Sequence, residues 1–138
     1  MGSFLRPGAV LVVIALWAVG ISDAQEGLTK RDRQGPVTVT VTLTESPSSG
    51  VPVRAKIVLD THSIALDGIA LEQVVALRVP DGSEVGPTAV EQAQGRGHHR
   101  EAVLIFPPLA SPGALRIVVR NVGSVAERQF IWELPPKP

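Results

Sequence analysis

From Pro36 onward, apolar and polar residues alternate with a period of two. "VTVTVTLT" (37–44) sets Val37, Val39, Val41 and Leu43 against four threonines, the pattern of a strand with one face in a core and the other in water. "VPVRAKIVLD" (51–60) repeats it, with Val53, Ala55, Ile57 and Leu59 on one face and Arg54 and Lys56 on the other. Further strands are expected over 74–79, 83–92, "REAVLIFP" (100–107), "ALRIVVRN" (114–121) and "AERQFIWEL" (126–134). In the last of these Phe130, Trp132 and Leu134 share one parity, which marks them as core residues. "ESPSSG", "PDG" at 80–82, Pro107 with Pro108, and "NVGS" separate the strands, each supplying residues that preset φ or tolerate φ > 0. Only "GIALEQVVAL" (68–77) has apolar residues at helical spacing, enough for one short turn. About seven short strands at intervals of roughly 8–12 residues predict an all-β domain, an immunoglobulin-like antiparallel β-sandwich. The term denotes architecture alone, because the cysteine pair and tyrosine corner of antibody domains are missing.

Ahead of the alternation the pattern changes twice. Residues 8–21, "GAVLVVIALWAVGI", form an apolar run behind a short segment carrying Arg6, and "SDA" follows with small residues at Ser22 and Ala24. This is the layout of an export signal over 1–24 cleaved after Ala24, with an uncleaved anchor as the rival reading. "QEGLTKRDRQG" (25–35) is polar and aperiodic and predicts a flexible leader. The sandwich domain is then expected over 36–135, in a chain that keeps no membrane span once the signal is removed.

Composition narrows the function classes. The chain carries 13 basic and 13 acidic residues, so it offers no basic stripe for nucleic acid. It has no cysteine, so the domain must cohere by packing without disulfides. These features point to an exported protein, periplasmic or extracellular.

The candidate chemistry lies in three histidines. His62 sits in "DTHS" between Asp60 and Asp67, while His98 and His99 sit in "GRGHHRE" (95–101). Imidazole and carboxylate are usual ligands for Cu(II), Zn or Ni, and the lack of thiolate or thioether in the mature chain argues against Cu(I). Adjacent strand residues face opposite ways, so one of His98 and His99 would ligate unless the loop bends. Gly95 and Gly97 permit that bend, and Gly68 does the same beside Asp67. The competing reading is structural. Asp60 pins the turn after its strand, and the two histidine segments clasp one another as His62 approaches His98 or His99. Catalysis is not expected: Ser63 next to His62 lacks an oxyanion elbow, and "GRGHHR" lacks a phosphate-loop spacing.

"DTHSIALDGIALEQ", "GRGHHREAVLIFP" and "RNVGSVAERQFIWEL" together resemble a group of small exported prokaryotic β-sandwich proteins. That group has T-H-S-x-x-L and G-x-H-H elements before a terminal aromatic strand. The resemblance spans about Val53 to Leu134, implies importance for His62, Gly97, His98 and His99, and carries no established activity. At fold level the chain is also similar to the CopC-type periplasmic copper-binding sandwiches. Those use a histidine at the mature N-terminus as a ligand, where this chain would have Gln25. Two functions are therefore expected. One is a cell-envelope protein of structural or interaction role, with a histidine loop clasp and a protein partner. The other is a divalent metal module for Cu(II) or Zn, built on His62 with His98 or His99 and on Asp60 or Asp67.

Overall fold

The computed structural model describes Gly2, residues 27–110 and residues 113–134. The expected export signal, apart from Gly2, lies outside the described residues, as do Gln25 and Glu26. In chain order the elements are β1 (Thr29–Asp32), β2 (Val37–Leu43), β3 (Val53–Thr61), α1 (Leu71–Val74), β4 (Val75–Arg78), β5 (Glu84–Val85), β6 (Ala89–Gln94), β7 (His99–Phe106), β8 (Gly113–Val122) and β9 (Val125–Leu134). They form two antiparallel sheets, β1-β2-β3-β7-β6 and β5-β4-β8-β9. The protein is an all-β sandwich.

The alternating residues make the core. Val37, Val39, Val41 and Leu43 of β2 and Ala55, Ile57 and Leu59 of β3 face Leu77 of β4 and Leu115, Ile117 and Val119 of β8 in one buried cluster. Each fully buried aliphatic side chain contributes about 1.5–3 kcal/mol. Phe106, Phe130 and Trp132 join that cluster, so the parity read in the last strand gives the correct inward face at Phe130 and Trp132. The side chain of Leu134 is outside what the structure describes. The short helical turn appears as α1, and "NVGS" closes the β8–β9 hairpin with Gly123 at φ 60° and Ser124 at φ 63°. A Cβ at Gly123 would stand 2.7 Å from a methyl of Val37, so glycine serves both the turn and the packing there.

Two expectations need correction. The leader expected to be flexible over 25–35 contains β1, whose Thr29–Asp32 pair with Val39–Thr42 of β2. The cause is Arg128, fully buried on β9. Its guanidinium donates to Asp32 Oδ1 (3.1 Å), to the carbonyls of Gln34 (2.6 Å) and Val37 (3.1 Å), and to that of Val122 (2.7 Å). Trp132 Nε1 donates to Gly27 O at 3.0 Å, and the Lys30 ammonium lies 5.6 Å from the Trp132 ring centroid. Second, the strand expected over 83–92 is two strands in different sheets. β5 pairs with β4, β6 pairs with β7, and the chain crosses between sheets at Gly86 and Pro87, where proline supplies no ladder N–H. With these two changes the sandwich has nine strands among the described residues.

The outer face of the second sheet carries a closed ion-pair ring. Arg78 meets Glu84 (2.8 Å) and Glu127 (3.3 Å), and Arg120 meets Glu127 (3.2 Å) and Glu84. Hydrogen bonds from Arg120 and then Arg78 hold the Glu84 carboxyl down at about 2.

Candidate functional site

β3 ends and β7 begins at the same end of the first sheet, and their register sets Asp60 directly opposite His99. The segment entering β7 therefore folds over the end of β3. Gly95 makes this possible: its φ is +91°, and a Cβ there would collide with the His99 carbonyl. Gly97 follows at φ +68°. Gly68 has open space around it and no positive φ.

Backbone hydrogen bonds stitch the two histidine segments together. Thr61 N–H donates to His98 O (3.0 Å), and Leu66 N–H donates to Gly97 O (2.8 Å). Gly97 N–H donates to Asp67 Oδ1 at 2.9 Å. The Arg100 guanidinium reaches back to the carbonyls of Leu66 (3.3 Å) and Asp67 (3.0 Å). Thr61, itself buried, donates its hydroxyl to Pro36 O at 2.8 Å and ties the same corner to the start of β2.

On the outer face, His99 Nδ1 lies 2.6 Å from Asp60 Oδ1. Its Nε2 lies 3.5 Å from Glu101 Oε2, which follows two residues later on the same face of β7. Glu101 also takes the Lys56 ammonium at 3.1 Å and the Gln94 amide. The result is a surface chain of alternating charge, Asp60, His99, Glu101 and Lys56. The hydrogen bond that His99 donates to Asp60 raises the His99 pKa above its ordinary value; partial burial opposes this, and the charges of Asp60 and Glu101 add to the rise. Lys56, then Gln94, lowers that of Glu101. The His99 side chain remains 47% exposed.

The five candidate ligands thus fall apart into separate contacts. Asp60 and His99 bind each other, Asp67 binds the Gly97 amide, and His98 contributes its backbone carbonyl. The rings of His62 and His98 are exposed, and neither makes a hydrogen bond or ion pair among the described residues. Among those residues no three His, Cys, Asp or Glu side chains are grouped to hold a metal ion. The donor set proposed for Cu(II) or Zn therefore does not fit a common centre in this arrangement. The sequence expectation gave no role to Arg100 or Glu101 and looked for the contact at His62, whereas the side-chain hydrogen bond joins His99 to Asp60. The signal for Glu101 was its i, i+2 spacing from His99.

A cavity of about 380 Å³ lies at the far end of β7, lined by Val79, Pro80, Asp81, Pro108, Leu109 and Ala110. The titrating imidazole and this hollow are at opposite ends of the strand. Set against known protein families, characterised proteins and solved structures, the chain matches none. Its function has to be read from its own geometry.

Proposed function

We propose that this chain is a non-catalytic cell-envelope module of structural or interaction role, exported to the periplasm or beyond, in which a histidine clasp fixes the loop 61–67 against the segment 97–100. The observation that carries this reading is the Asp60–His99 pair with the backbone bonds beside it. The side chains of Asp60, His99, Asp67 and Arg100 hold chain to chain in the corner, and the imidazole lies at the opposite end of β7 from the cavity beside Pro80 and Leu109. The surrounding charges suit a rigid surface presented to a protein partner, and their balance gives nucleic acid no purchase.

The test is thermal unfolding in metal-free buffer with and without added Cu(II) or Zn. A clasp predicts that His99→Ala lowers Tm in metal-free buffer and that neither ion raises the Tm of the native chain. A rise in Tm on adding Cu(II) or Zn that disappears in His62→Ala would overturn the clasp in favour of the metal module, since a ligand that binds only the folded state must stabilise it.

A further inference from the structure

The two sheets end in four edge strands among the described residues: β1 and β6 in the first, β5 and β9 in the second. An edge strand presents a row of unpaired N–H and C=O groups, and proteins blunt it by shortness, charge, proline or a bulge. Three of the four edges carry such a device. β1 has four residues and bears Lys30 and Arg31. β5 has two residues and runs into Gly86 and Pro87. β6 breaks register between Glu91 and Gln94, with Gln92 at φ 51°.

β9 differs from all three. It is ten residues long, contains no proline or lysine, and keeps an unbroken register with β8 from Glu127 to Leu134. Its one inward charge, Arg128, is neutralised by Asp32. On its outward face Ile131 is 39% exposed, flanked by Gln129 and Glu133.

We infer that the free edge of β9 is an interface for a second copy of this chain, with the two β9 strands antiparallel about a two-fold axis at Ile131. Directly opposed side chains decide the register. Centred on Ile131, that residue meets its own counterpart, and Gln129 meets Glu133 of the second copy, an amide against a carboxylate. On the inner face Phe130 stands opposite Trp132 of the second copy. Centring on Phe130 instead would set Glu127 against Glu133, two carboxylates face to face. Centring on Gln129 would set Ile131 against Glu127. The register at Ile131 alone among these joins like with like and opposes no two equal charges. The contact is isologous, as a two-fold requires, and it extends the four-stranded sheet to eight strands across two copies. This surface is separate from the histidine clasp and stands whether or not the clasp reading does.

Because the chain lacks cysteine, single cysteines in the full chain read the register directly: a disulfide forms only when the two Cα atoms come within about 7 Å. Ile131→Cys should form a disulfide-linked dimer under mild oxidation at least about tenfold faster than Val51→Cys, whose position is as exposed but lies on a loop. Gln129→Cys mixed with Glu133→Cys should cross-link, and each alone should not. Adding Ile131→Lys to both members of that mixture should slow the link by about tenfold, because two ammonium groups would then face each other. Equal rates for the 131 and 51 variants would overturn the interface. Linking of Gln129→Cys alone as fast as the mixture would overturn the register, and indifference to Ile131→Lys would overturn the two-fold centre.

Discussion

Two corners of this sandwich do the same job by opposite means. At one, Arg128 is buried to 1% exposure and gathers the turn between β1 and β2 onto the β8–β9 hairpin. At the other, His99 and Asp60 close the mouth between β3 and β7 while about half exposed. A buried guanidinium has no water to fall back on, so losing any partner leaves a charge or carbonyl unsatisfied in a low-dielectric site. An exposed imidazole pair is screened, and water replaces it at little cost. The first corner is therefore structural in the strict sense, and the second is adjustable.

Removing the guanidinium should have the largest effect. Arg128→Ala leaves the carbonyls of Gln34, Val37 and Val122 without their donor and Asp32 without its cation, and is expected to cost about 3–5 kcal/mol by denaturant titration. Hydrogen exchange should report the same change locally: the amides of Thr29–Asp32 lose protection while those of β7 keep theirs. A loss below about 1 kcal/mol would place Arg128 among screened surface pairs and erase the contrast. Acid should act in the same direction. Burial pushes Asp32 upward, but hydrogen bonds from Gln34 and Arg128 outweigh it and hold the carboxyl below its ordinary 3.8. A lowered folded pKa contributes stability above the unfolded value, and that stability is lost as pH falls through the folded one.

Next in size is the backbone of the histidine corner. Gly95→Ala forces a side chain onto φ +91° and against the His99 carbonyl and Arg100 Cα, all of it main chain that cannot swing aside. The expected cost is about 1–3 kcal/mol, read as a lower denaturation midpoint. If Gly95→Ala instead proves neutral, the stitch from Thr61 to His98 is loose, and this corner is held by side chains alone.

The contrast also explains what could be read in advance. Alternation in 37–43 and 53–59 located β2 and β3 because each has one face in the core, and a buried face is a local signal. "TKRD" carries no such signal: β1 is a strand because a residue almost a hundred positions away needs its carboxylate and the carbonyls behind it. One clue was present. Arg128 shares the parity of Phe130 and Trp132, so the pattern that buries the aromatics buries the arginine too, and a buried arginine demands acceptors from somewhere. The sheet change at Gly86–Pro87 could be suspected from proline, although only the pairing of β5 with β4 and β6 with β7 establishes it. At the histidine corner the sequence expectation set His62 against His98 or His99, whereas the hydrogen bond across the two segments runs between Asp60 and His99. Register between distant strands decides that Asp60 opposes His99, and no local pattern in one sequence encodes it.

The smallest effect is the one that separates the corners most cleanly, because its pH sense is reversed. The His99 pKa is raised above its ordinary 6.5, first by the Asp60 hydrogen bond. A raised folded pKa means that the folded state binds the proton more tightly than the unfolded chain does. The clasp's contribution is then fully present below 6.5 and is lost as pH climbs through the higher folded value. Exposure and screening keep it under about 1 kcal/mol, which corresponds to a Tm change of at most about 4–8 °C in a domain of this size. Unfolding curves of the native chain and of His99→Gln should therefore differ most below the ordinary histidine pKa of about 6.5 and converge as pH rises past the raised folded value. NMR titration of the His99 ring gives the independent check, with a midpoint above the ordinary histidine value of 6.5. A His99 midpoint at or below the ordinary 6.5, or a stability gap that widens with pH, would mean that Asp60 does not hold the imidazolium and that backbone bonds alone close this end of the sandwich.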